Sequence, residues 1–94
     1  MRIVWTPRAQ QNLRDVARYL TQFNPIASLA TVRLVRAAPQ QLLQHPASGR
    51  LGRVEGTREL IIVGSSYILP YRVTSERVEI LAVLHSSQQW PDQF

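Results

Sequence analysis

Along this chain hydrophobic positions first alternate, then recur at steps of three and four, then alternate again. Arg2-Ile3-Val4-Trp5 alternates polar with β-branched and aromatic residues and predicts a short strand. Thr6-Pro7 ends it and opens a helix, since a threonine hydroxyl caps free amides and a proline at the first helical position forfeits no hydrogen bond. Ala9, Leu13, Val16, Ala17 and Leu20 then form an apolar stripe, with Gln10, Gln11, Arg14, Asp15 and Arg18 opposite. Asn24-Pro25 repeats the cap, so the first helix stops near Phe23 and a second follows at once, forming an antiparallel hairpin. In the second helix Ile26, Leu29, Ala30, Leu34, Ala37, Ala38 and Leu42 lie along one stripe, and Pro39 predicts a kink or break near Val35 to Pro39.

His45 to Gly52 is turn chemistry, after which the period falls to two. Strands are predicted over residues 58–63, 67–73 and 78–85, with turns at 64–66 and 74–77. Pro70 has no amide hydrogen to give a neighbouring strand, so a bulge or gap is expected beside it. The order is β-α-α-β-β-β. It describes an α+β domain spanning residues 1–94, with the helical hairpin on one face of a mainly antiparallel four-stranded sheet.

One hairpin covers one face, and the pleat divides the strand residues between the two. Leu60 and Ile62, Leu69, Tyr71 and Val73, and Val78, Ile80, Ala82 and Leu84 form the set expected beneath the helices. The other set mixes Glu59, Arg72, Glu79 and His85 with apolar Ile61, Val63, Ile68, Leu81 and Val83. An apolar patch with a charged rim marks a binding site on a face otherwise left to water. Two alternatives stand beside this: the tail Ser86 to Phe94, with Trp90 and Phe94, folds back over the patch, or the strand register is shifted.

Composition narrows the chemistry. The 94 residues contain no cysteine, which removes disulfides, thiolate metal sites and thiol nucleophiles. Eleven basic residues, all arginine, against six acidic ones give a net charge of +5, suiting an acidic protein partner or a nucleic acid. No apolar run reaches the roughly 20 residues of a spanning helix, and Met1 to Trp5 lead into a polar segment rather than a signal core, so the expectation is a cytoplasmic protein with no membrane partner. His45 and His85 are far apart and lack carboxylates at ligand spacing, and Gly49, Gly52 and Gly56 match no phosphate-binding pattern. Neither a cofactor, a metal nor a small-molecule substrate is expected. Ser86 and Ser87 merely follow His85, which is no basis for a triad. Metal-free RNA cleavage needs only a base, an acid and cations, and Arg72 with His85 on one sheet face is the pair that would serve it. A small basic DNA-binding module is a weaker alternative, because neither helix carries a dense arginine face.

The order of motifs resembles the RelE/ParE superfamily of bacterial type II toxins, and the ParE branch most closely. The resemblance lies in Trp5-Thr6-Pro7 with Ala9, Asp15, Tyr19-Leu20, the loop His45 to Arg50, Gly56-Thr57-Arg58-Glu59-Leu60, Tyr67 to Val73, Val78 to Leu81 and Val83-Leu84-His85. It implies the same β-α-α-β-β-β fold and a toxin neutralised by a cognate antitoxin, whose partly disordered, often acidic segment folds onto it. Glu59, Ile61, Val63, Ile68, Arg72, Leu81 and Val83 are the residues expected to receive that segment. RelE-like members resemble one another in cutting messenger RNA on the ribosome with basic strand residues, whereas ParE-like members resemble inhibitors of DNA gyrase. Here Ile68 stands where the nucleases carry an arginine, and Glu59 and Ile61 where they carry two lysines, so the transition-state charge would go unmet. The resemblance therefore favours gyrase inhibition without a catalytic group, and His85 keeps the nuclease alternative open. Arg58, Arg72, His85, Trp90 and Pro91 are the expected target contacts; the alternative for Trp90 is packing on the sheet edge. A homodimer within a toxin–antitoxin hetero-oligomer is compatible with all of this.

Overall fold

Thr6 joins the first strand, the first helix and the sheet. In the computed structural model, which describes all 94 residues, strand β1 (Arg2–Trp5) runs into Thr6, whose hydroxyl oxygen accepts from the Ala9 amide at 3.2 Å and donates to the Ile80 carbonyl at 2.8 Å. Helix α1 (Pro7–Thr21) follows, then Asn24, whose side chain accepts from the Ala27 amide at 3.1 Å, and helix α2 (Pro25–Ala37). Ser28 is buried between the two helices, donating to the Ala17 carbonyl at 3.0 Å. At Ala38 the chain tightens into a 3₁₀ helix (Ala38–Leu43), which accommodates Pro39 without an α-helical donor and realises the expected break.

The sheet is larger than the four strands expected. Its order is β1-β5-β4-β3-β2, with β2 (Arg50–Leu51), β3 (Arg58–Ile61), β4 (Tyr67–Val73) and β5 (Arg77–Ile80); β1 runs parallel to β5, and the other pairs are antiparallel. A sixth strand, β6 (Leu84–His85), also pairs with β4, so the single last strand expected over 78–85 is two.

The reason lies opposite Pro70. Tyr71 pairs with Ile80 and Ile68 with Leu84, so Leu69 and Pro70 on β4 face Leu81, Ala82 and Val83: one residue extra, a β-bulge. Pro70 has no N–H, and its carbonyl accepts from the Leu81 amide at 2.8 Å. Beyond the bulge every side chain changes face. Val83 therefore joins the core under the helices, and His85 lies on the helix side with its partner Tyr67, while Leu84 goes with Ile68 to the far face; the sequence pattern assigns each of the three to the opposite side.

The main core is Ala9, Leu13, Val35 and Leu42 from the helical layer against Leu60, Ile62, Leu69, Tyr71, Val78, Ile80 and Val83. Tyr71 also anchors the loop before β2: its hydroxyl donates to the Pro46 carbonyl at 2.7 Å and accepts from the Gly49 amide at 2.9 Å. A Cβ at position 49 would lie 2.6 Å from the tyrosine ring and 2.8 Å from the Glu59 carbonyl oxygen. Gly49→Ala is thus expected to cost about 2–3 kcal/mol through overpacking, and Tyr71→Phe about 1–3 kcal/mol through the amide left unpaired, read as lower midpoints in urea denaturation; unchanged midpoints would show that the loop is not held this way.

Candidate functional site

The far face, expected to be open, is largely sealed by the chain itself. Of the residues placed there for a partner, Ile68 and Leu81 are buried, and Val83 is buried on the helix side. The tail returns to this side of the sheet. The Trp90 ring lies beneath the Arg53 guanidinium at 3.6 Å, and the Phe94 ring lies 5.7 Å from that of Arg8. Phe94 also shares a cleft of about 400 Å³ with Val54, Arg72 and Asp92. Residues 86–94 thus return over the sheet, the self-covering alternative among those the pattern allowed. Only Ile61, at 50% exposure, and Val63, at 88%, remain as an open apolar pair from the expected set.

Glu59 is the second departure. It is 2% exposed, and it holds two arginines rather than waiting for a partner. Arg50 meets Oε1 at 2.8 Å; Arg53 meets Oε2 with its side chain at 3.2 Å and its backbone amide at 2.9 Å. Burial raises the carboxyl pKa, but the Arg53 amide and the two guanidinium groups outweigh burial and hold it below its ordinary value of 4.5. The order Glu59 to Arg53 to Trp90 couples a buried carboxylate to the seat of the tail.

The expected target contacts are dispersed. Arg58 donates to the Gly49 carbonyl at 2.9 Å and braces the loop, and Pro91 is exposed in the tail. Arg72 stands on the far face opposite Glu79, while His85 stands on the helix side, so the pair proposed for RNA cleavage does not share a face. His85 borders a cleft of about 470 Å³ with Asp15, Tyr19 and Tyr67, and no arginine lines it. Burial first, and then the neighbouring Tyr19, raise the Tyr67 pKa.

The sequence pattern missed an open apolar surface on α2, because that helix is apolar on two sides. Ser28 and Val35 are its buried positions, so most of the stripe points outward: Ile26 is 82% exposed, and Leu29, Ala30, Leu34 and Ala37 are also exposed, while Ala38 and Leu42, in the 3₁₀ segment, pack on the core. Leu34 reaches the β3–β4 turn, lying 3.9 Å from where a Cβ on Gly64 would be, and Val63 is exposed in that turn. Arg33 and Arg36 flank the stripe, and the helix has no acidic residue.

Comparison with known proteins decides the family. Residues 3–90 match the model of the ParE toxin of the type II toxin–antitoxin system parDE. The chain belongs to the ParE toxin family. It is 43% identical to the toxin-named protein Y4kP of Sinorhizobium fredii over 90 residues, covering 96% of this chain and 93% of that one. It is also 31% identical to toxin RelE2 of Caulobacter vibrioides over 86 residues, covering 92% and 96%. A solved chain from the chromosomal ParDE system of P. aeruginosa shares the fold, with a TM-score of 0.80 at 24% identity over 90% of this chain and 95% of that chain. As a ParE-family chain it is the toxin of a type II pair, and such a pair implies a cognate antitoxin. No helix is long and apolar enough to cross a membrane.

Proposed function

We propose that this ParE-family toxin inhibits DNA gyrase by stabilising its DNA-cleaved state, and that its antitoxin neutralises it by laying an acidic amphipathic segment along the outward face of α2. The observation that carries the choice of target is electrostatic. Cleaving a phosphodiester without metal requires cations around the scissile phosphate. The groups at the corresponding strand positions are Glu59, already committed to Arg50 and Arg53, aliphatic Ile61 and buried Ile68. His85 faces a cleft lined by no arginine, and Arg72 is on the other side of the sheet. An inhibitor acting by binding needs none of those charges.

The docking half of the proposal is supported by Ile26, Leu29 and Leu34, exposed beside Arg33 and Arg36, with Val63 on the adjoining turn. A folding-upon-binding segment suits a long apolar stripe flanked by one sign of charge. Induced expression of the chain alone is expected to arrest growth and induce the DNA-damage response, and co-expression of a cognate antitoxin to restore growth. Arrest without DNA damage would argue against gyrase as the target.

A further inference from the structure

The cleft beside His85 has a composition unlike the rest of this arginine-rich surface. Tyr19 and Asp15 come from α1, Tyr67 from the start of β4 and His85 from β6, so three aromatic rings and one carboxylate meet around about 470 Å³. None of the chain's eleven arginines lines it. A phosphate or carboxylate ligand would find an acid there and no cation to meet it. A cation would find the Asp15 carboxylate and aromatic faces, the two features that bind cations best at a protein surface.

The walls are built in advance. The Ser87 amide donates to His85 Nδ1 at 3.1 Å, which makes that nitrogen the acceptor, and the Ser87 hydroxyl lies 2.7 Å from it. The His85 amide donates to Gln88 Oε1 at 2.7 Å, and the imidazole meets Tyr67 edge-on at 5.4 Å and 87°. Asp15 enters none of the chain's ion pairs; Oδ1 accepts from Gln11 at 2.9 Å, and Oδ2 takes no hydrogen bond from the chain. Little ordering cost would accompany binding.

We infer that this cleft receives an arginine side chain from a protein partner, its planar guanidinium laid against the tyrosine rings and paired with Asp15. A flat cation suits ring faces better than the compact ammonium of lysine. The chain makes the same kind of stacking contact internally, where Arg53 covers Trp90 at 3.6 Å. The net charge of +5 opposes a cation at long range, but screening over a Debye length of about 8 Å at physiological salt leaves the local contacts in control. The inference rests on the reading that this chain is bound by another protein, and names one contact that such a protein makes.

The probe is N-acetyl-argininamide, titrated into the intact chain while the ring signals of Tyr19, Tyr67 and His85 are followed by NMR. Saturable shifts at those rings are expected, with affinity on the order of millimolar for one isolated side chain. Asp15 and Tyr19 are both exposed, so Asp15→Asn and Tyr19→Leu keep the fold, checked by the amide spectrum. Each is expected to weaken binding about fivefold, and N-acetyl-lysinamide to bind about threefold more weakly than the arginine probe. Absence of saturable shifts, or shifts unaffected by both substitutions, would overturn the inference. So would equal or stronger binding of N-acetylglutamate, or of guanosine monophosphate, which would make the cleft a nucleotide site. No antitoxin is used, so the cleft can fail this test while neutralisation still holds, and the reverse.

Discussion

Ile26→Asp combined with Leu29→Asp is expected to weaken the complex with the antitoxin about 100-fold or more, by calorimetry, while leaving the thermal midpoint of the free toxin nearly unchanged. Both side chains are exposed in the chain alone, so a carboxylate there costs little in folding. In the complex each would be buried as an unpaired charge beside an acidic segment, losing apolar contact and adding repulsion, and two such positions account for a loss of about 3 kcal/mol or more. Arg33→Glu with Arg36→Glu is expected to act differently, mainly slowing association and flattening its salt dependence. Unchanged affinity in the aspartate variant would move the antitoxin to another face. The Ile61 and Val63 end of β3 would then be the next candidate.

The second large effect is at Glu59. Glu59→Gln is expected to cost about 2 kcal/mol at neutral pH, below the usual penalty for breaking a buried ion pair because Arg50 and Arg53 are about half exposed. The pH dependence follows from a folded-state pKa lowered by the Arg53 amide and the guanidinium groups in spite of burial. That stabilisation is complete above the unfolded value near 4.5 and is lost as the pH falls through the lower folded value. The gap between wild type and Glu59→Gln should therefore close on acidification. In the variant Arg53 loses its anchor and Trp90 its cover, so amides of residues 86–94 should exchange faster with solvent. A gap that stays constant with pH, or a tail whose exchange is unaltered, would show that the clasp does not seat the tail.

Local chemistry carried most of the fold. The Thr6-Pro7 and Asn24-Pro25 caps, the break at Pro39 and the disturbance at Pro70 each have a cause within a few residues, and each is where those residues place it. What failed was propagation. The bulge is local, but its effect on Val83, Leu84 and His85 is a change of face, and a strand read as continuous hides it. Strand β2, two residues long, is too short for alternation to show. The inward side of α2 could not be chosen from periodicity because Ser28, Thr31, Val32 and Val35 make one plausible stripe and Ile26, Ala30, Leu34 and Ala37 another. Choosing requires the contact with α1 that Ser28 makes.

The candidate site was legible in a narrower sense. Glu59, Ile61 and Ile68 stand where the resemblance places strand cations in the nuclease branch, and the proposed choice of binding over RNA cleavage rests on them. The open surface was legible only in part: the return of the tail stood as one alternative, but its seats on Arg53 and Arg8 could not be read from alternation along the strands. Folding back a tail exchanges one apolar surface for another, and alternation along a strand has no term for it.

The most direct test of the account is a cleavage assay with purified gyrase, supercoiled plasmid, ATP and this toxin, run beside an assay of messenger RNA on translating ribosomes. Linear plasmid should accumulate with toxin dose and disappear when antitoxin is added, with the messenger left whole. Intact plasmid alongside cut messenger would contradict the account and return His85 to catalysis.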